Sequence, residues 1–235
     1  MLAEFRIAPL LFEAHGLAGE AAVEALLAGL ARSALPSGLI VCAMRHLPAS
    51  ETLRAAHLAL RYQGRDAGLP LTLHAGEADA AERVVEAVRL GARRIGHGVR
   101  LVDALTDPAR RALIDAVIGS DVHLEVCPTS NVHTGAAASL AAHPIAALWR
   151  AGLSLSFHTD NRLMSRITHS SEAAALLQQT ALTATDLVRM GLEAARHSFL
   201  APAIQEAARR HLQRWAARAA LQLPSAPLSL PPGAP

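Results

Sequence analysis

An α/β fold, and within that class a TIM-type (β/α) barrel with C-terminal helices, is what this chain predicts from three observations. Six short apolar or β-branched segments alternate with alanine- and leucine-rich stretches of helical spacing. Such alternation requires parallel strands joined by helical crossovers, and no glycine-rich phosphate loop favours a doubly wound sheet instead. Three of the apolar runs also end in polar tips, at His74-Ala75-Gly76-Glu77, Gly96-His97-Gly98 and Phe157-His158-Thr159-Asp160-Asn161.

The strand candidates are 2–8, 39–45, 69–74, 94–97, 122–127 and 153–159, each a short run of apolar and β-branched residues bounded by polar or turn-forming ones. Between them, 21–32, 50–63, 80–90, 108–118 and 144–151 carry apolar residues at helical spacing. From Ser170 the chain reads as helical through Leu221. Residues 224–235 form a Pro/Ser/Ala segment with too few core residues to offset its ordering entropy. The expectation is one domain over 1–221, followed by a disordered tail over 222–235.

Composition narrows the function. With 51% apolar residues in 235, the chain buries a full core as one large domain. Its net charge is only +2, and its basic residues, all arginine, are interspersed with acids, which argues against a nucleic-acid partner. Cys42 and Cys127 each sit inside an apolar run, as buried thiols of a reducing compartment do. No run approaches the ~18 apolar residues needed to cross a bilayer. Glu4, Arg6, Pro9 and Glu13 interrupt the stretch where a secretory leader needs an apolar core. A cytoplasmic protein that binds neither membrane nor nucleic acid is expected.

In a (β/α) barrel the active site lies at the carboxyl ends of the strands, where His74, His97, Asn131 and Asp160 fall. Along the last strand the two-residue period puts Ser154, Ser156, His158 and Asp160 on one face, which should point into the barrel. Histidine and aspartate together can hold Zn²⁺, which activates water at neutral pH, and His74 and Asp160 are the candidates. Glu77 lies three residues past His74, close enough to share the pocket and pass a proton to a substrate. His97 is placed to orient or deprotonate the attacking water. Any one of these residues alone would be read as structural; their joint placement singles them out.

Six segments, in order, resemble the strand-end motifs of the adenosine deaminases of the amidohydrolase type. They are Ala3-Glu4-Phe5-Arg6-Ile7-Ala8-Pro9, Cys42-Ala43-Met44-Arg45-His46, His74-Ala75-Gly76-Glu77, Arg94-Ile95-Gly96-His97-Gly98-Val99-Arg100, Glu125-Val126-Cys127-Pro128-Thr129-Ser130-Asn131 and Thr159-Asp160-Asn161-Arg162-Leu163-Met164-Ser165. The resemblance spans residues 1 to about 217. It implies zinc as cofactor with His74 and Asp160 as ligands, Glu77 as proton donor to the purine ring, His97 positioning the attacking water, and Asn161 contacting the purine. The implied reaction is hydrolytic removal of the 6-amino group of adenosine, giving inosine and ammonia, with a small purine nucleoside as partner.

The chain departs from the family pattern in two places. The HxH pair that ends the family's first strand is absent from the sequence, and 64–68 stands where a further strand and most of its helix are expected. About six of eight strands therefore remain. An incomplete barrel has exposed edges, so stability as an isolated monomer is in question. Two protein ligands are fewer than the three of a usual catalytic zinc site, so impaired turnover is expected. His158, two residues before Asp160 on the same face, is a speculative further ligand. Alternative readings are a catalytically dead nucleoside-binding or interaction protein, a deaminase of another 6-aminopurine compound, or a remnant without a stable fold.

Overall fold

A computed structural model of the chain describes residues 39–41, 70–221 and 223. Its strands are β1 (Leu39–Val41), β2 (Leu71–Ala75), β3 (Arg94–His97), β4 (His123–Val126) and β5 (Leu155–Phe157), in one parallel sheet of order β1-β2-β3-β4-β5. Its helices are α1 (Glu82–Arg89), α2 (Val102–Leu105), α3 (Arg111–Gly119), α4 (Pro128–His133), α5 (Ile145–Arg150), α6 (Arg162–Ser165), α7 (His169–Gln179), α8 (Ala184–His197) and α9 (Pro202–Arg218).

Sequence order equals spatial order, so every crossover steps the same way. A doubly wound sheet reverses direction at its switch point and carries helices on both faces, whereas a sheet that never reverses is a stretch of barrel wall. The barrel expectation holds in this form. The expected strand at 2–8, the helices at 21–32 and 50–63, Cys42 and the segment from 224 lie outside the described residues.

The register separates two faces. Leu73, Ile95, Leu124 and Leu155 are paired neighbours across β2 to β5, and each is at most 2% exposed. Val84 and Val85 of α1, Ile114 and Val117 of α3, and Ile145 and Leu148 of α5 belong to the same core. Each such side chain is stabilised by roughly 1.5–3 kcal/mol on burial, so this apolar layer supplies the main driving force.

The opposite face is polar. Arg94 of β3 pairs with Glu125 of β4. His123 of β4 lies between Ser154 Oγ at 2.9 Å and Ser156 Oγ at 2.7 Å, and Ser156 also meets His158 Nε2 at 2.6 Å. The expected Ser154, Ser156 and His158 face thus turns away from α1, α3 and α5 and is met by α8. Glu193 of α8 accepts a hydrogen bond from Ser154 Oγ at 2.8 Å, and His197 stacks on His123 with ring centres 4.8 Å apart. Partners of this kind are what make a buried polar layer tolerable.

Three sequence expectations need correction. The strand at 122–127 ends at Val126, because Cys127 leaves extended geometry to become the N-cap of α4, with Pro128 at the first helical position. The strand at 153–159 shortens to Leu155–Phe157. The helical reading from Ser170 to Leu221 breaks into three helices. Thr180 takes extended geometry and stops α7, a Thr183–Asp186 capping box starts α8, and Pro202 opens α9 after the extended Ser198. Among the described residues no helix is long and apolar enough to cross a membrane.

Candidate active site

Parallel pairing aligns the carboxyl ends of β2 to β5, and the side chains singled out in the sequence lie along that edge. His74 is near the end of β2, where its ring occupies the space a side chain on β3 would fill. A Cβ added at Gly96 would sit 2.7 Å from the imidazole, so glycine there is a steric condition for the placement of His74. After β2 the chain turns through Gly76 at φ +68, and a Cβ there would meet Val84 at 2.5 Å. Gly98 N donates to Ala75 O and Arg100 N to Gly76 O, both at 2.9 Å, while Arg100 Nε donates to Glu77 O at 3.3 Å. These bonds hold the backbone that presents Glu77.

His97 ends β3 with φ 71 and is buried, its ring 5.0 Å from that of His74 in an edge-on arrangement. Its Nε2 lies 3.4 Å from Glu77 Oε2. The other carboxylate oxygen, Oε1, accepts from Asn131 Nδ2 at 3.0 Å and from Thr134 Oγ1 at 2.9 Å. Asn131 Nδ2 also faces His97 Nδ1 at 3.1 Å. Asn131 and Thr134 reach the site because α4 begins directly after β4 and runs along the strand ends.

Asp160 follows β5 at φ 54, a left-handed conformation that aspartate tolerates better than most residues. Ser130 Oγ donates to its Oδ2 at 2.7 Å. Burial, and then the neighbouring His97, push the His74 ring below its usual pKa, with Asp160, Glu77 and Glu125 opposing. Asn161 is exposed and acts as N-cap of α6, its Oδ1 accepting from Met164 N at 3.2 Å. His158 lies off the main cluster, its Nε2 bonded to Ser156; burial first of all lowers its pKa.

Glu77, His97 and Asn131 are in direct contact, with His74 against His97, and Asp160 is tied to the neighbouring residue Ser130. A neutral imidazole and a carboxylate are donor types that zinc takes. His74 and Asp160 therefore suit the ion in kind. Among the described residues no group of three histidine, cysteine, aspartate or glutamate donors converges as a metal site.

The sequence places Asn131 at a strand end without a role and does not mark out His143. Yet His143 Nε2 lies 3.3 Å from Asn131 Oδ1. No spacing rule connects a loop histidine to an asparagine one helix earlier; the only hint is its position beside Pro144 at the start of α5.

A parallel sheet that never reverses, with an imidazole–carboxylate cluster at its carboxyl edge, is the wall of a (β/α) barrel with a candidate active site at the end such barrels use. Residues 47–215 match the family model described as adenosine deaminase. An adenosine deaminase of Mycobacterium sp. (strain JLS) is 35% identical over 240 residues, covering 84% of this chain and 66% of its own length. Among solved structures, adenine deaminase from Arthrobacter aurescens superposes with TM-score 0.71 at 24% identity, covering 84% of this chain and 57% of that one. An amidohydrolase from Burkholderia ambifaria with bound Zn superposes with TM-score 0.69 at 20% identity, covering 86% of this chain and 54% of that one. The chain belongs to the adenosine deaminase family. It spans somewhat less than two thirds of the length of that Mycobacterium relative.

Proposed function

We propose that this chain carries the acid–base half of a zinc-dependent hydrolytic deaminase that converts adenosine to inosine and ammonia. The observation that carries the reading is the contact of Glu77, His97 and Asn131 beside His74 at the strand ends. His74 and Asp160 would hold the zinc, which when bound supplies activated water for attack at the amino-bearing carbon of the purine.

The remaining chemistry falls to the chain's own residues. Asn131 and Thr134 both donate to Glu77 Oε1, so a proton carried by this carboxyl sits on Oε2. That oxygen lies 3.4 Å from His97 Nε2. Glu77 would deliver the proton to the ring nitrogen next to the reacting carbon, and His97 would orient the incoming water through its Nε2–H. Positioned proton transfer of this kind contributes roughly 10²- to 10⁴-fold. Asn161 uses its carbonyl oxygen to cap α6, which leaves its amide N–H groups free to serve a purine acceptor. The partner is thus a small purine nucleoside. The buried free thiol of Cys127 suits a reducing, cytoplasmic setting.

The test is ammonia release from adenosine, adenine and other 6-aminopurine compounds by the full chain, with zinc content measured on the same preparation. Turnover that needs zinc and is abolished by Glu77→Gln is expected. A folded chain that binds a nucleoside yet holds no zinc and releases no ammonia would instead identify a catalytically inactive binding protein. The same zinc measurement on His158→Asn tests His158 as a further ligand, which an unchanged stoichiometry would eliminate.

A further inference from the structure

His143 lies in the loop before α5, buried and outside the cluster at the strand ends. Its two ring nitrogens have different partners. Nδ1 is 3.1 Å from the backbone N–H of Ile145, which can only donate. Nδ1 therefore accepts, and the ring proton is on Nε2. That nitrogen is 3.3 Å from Asn131 Oδ1. Burial pushes the His143 ring down to about 4, so the singly protonated form is the one present at neutral pH.

Asn131 cannot turn its Oδ1 toward Glu77, because two acceptors would meet at 3.0 Å; Nδ2 faces Glu77 and Oδ1 faces His143. The second N–H of the same amide points at His97 Nδ1, 3.1 Å away, which must accept. The ring proton of His97 is left on Nε2, 3.4 Å from Glu77 Oε2.

We propose that His143 is a positioning residue: by donating to Asn131 Oδ1 it fixes the Asn131 amide and, through it, both the tautomer of His97 and the free oxygen of Glu77. The inference rests on the reading of His97 and Glu77 as the acid–base pair for its catalytic consequence, and on hydrogen-bond geometry alone for the tautomer. Donation to Asn131 and acceptance from Ile145 are separable functions. Glutamine reaches with an N–H to where Nε2 stands, and asparagine reaches with a carbonyl oxygen to where Nδ1 stands.

The experiment is long-range ¹H–¹⁵N correlation NMR on histidine-labelled full chain, with His97 assigned by a His97→Gln variant and folding monitored by cooperative urea unfolding. In the parent chain His97 should show a pyridine-like Nδ1 and a pyrrole-like Nε2. His143→Gln should preserve that pattern. His143→Asn, which keeps the bond to Ile145, should move both His97 nitrogens toward averaged shifts while the fold persists. Where turnover is measurable, His143→Asn should lower kcat about 10- to 100-fold with little change in KM, and His143→Gln should restore most of it. A parent spectrum with His97 protonated on Nδ1 overturns the proposal, as does a pattern indifferent to His143→Asn. The spectra need no turnover, so an inactive chain would count against the proposed function and leave this test intact.

Discussion

Glu172 of α7 accepts both the backbone N–H of Thr129, at 2.8 Å, and the Thr129 hydroxyl, so a fully buried carboxylate seals the first turn of α4. That turn carries Ser130, which holds Asp160, and Asn131, which holds Glu77. A charged acceptor at a helix start satisfies an N–H that the helix itself leaves open, and it faces the positive end of the dipole.

Glu172→Gln replaces an oxygen that receives a hydrogen with an amide N–H that brings its own. One donor of Thr129 is then left without a partner in the interior, at a cost of about 1–3 kcal/mol. The expected result in urea unfolding is a lower midpoint with an unchanged slope. Proteolysis or hydrogen exchange should show α4 loosened more than α8, and equal protection of both would refute the link.

Much of the fold is legible in the sequence because one face of a strand is apolar and one is not. Arg94–His97 is a strand in both the sequence reading and the structure, and the row Leu73, Ile95, Leu124, Leu155 follows from strict alternation. Helices α2 and α6 escape notice because four residues cover barely one turn, and α4 because Pro128-Thr129-Ser130-Asn131 offers too few apolar residues to set up a period. The site is legible to the extent that its residues follow strands directly. His74 and His97 sit at strand ends and Glu77 and Asp160 come just after them, whereas His143 enters through a tertiary contact with Asn131 that neither local sequence encodes.

Gly96→Ala tests whether the ring of His74 depends on the open space above β3. The new methyl would sit 2.7 Å from the His74 ring, and the imidazole can rotate away more readily than the sheet can move. The stability change should stay under about 1.5 kcal/mol. Zinc affinity, measured by titration against a competing chelator, should fall on the order of tenfold or more as one ligand leaves its place. Unchanged affinity would mean that His74 is not a ligand.

Asp186 ties three elements together. Its carboxylate accepts from Trp149 Nε1 at 2.9 Å, from Arg150 at 2.8 and 3.0 Å, and from Thr183 N and Oγ1 at 2.9 and 2.8 Å. Burial alone would raise its pKa, but the bonds from Arg150, Thr183 and Trp149 outweigh that and hold it well below the usual carboxylate range. A depressed folded-state pKa means that the stabilisation is complete above the unfolded value of about 3.9 and is lost as pH falls toward the folded one. Asp186→Asn keeps the size, loses the charge and should cost about 2 kcal/mol at pH 7, given that Arg150 is half exposed. The gap between parent and variant should narrow steadily as pH falls below about 4; a gap that does not narrow would place the effect in packing.

Acid should weaken the fold in a second, higher window, through histidines buried as neutral rings. Burial lowers the pKa of His74, His123 and His158, and brings His143 to about 4. For each, the unfolded chain takes up a proton at about pH 6.5 while the folded chain does not, so stability is full above that pH and declines as pH falls toward the folded value. Each such group contributes a slope of up to about 1.4 kcal/mol per pH unit inside its window. The contribution of His143 alone, from 6.5 to about 4, amounts to roughly 3 kcal/mol at most. Urea midpoints measured from pH 7.5 to 4.5 should therefore fall steeply in the parent. They should fall less steeply in His143→Gln, which has no ring to titrate; parallel curves would show that His143 is free to charge in the folded state.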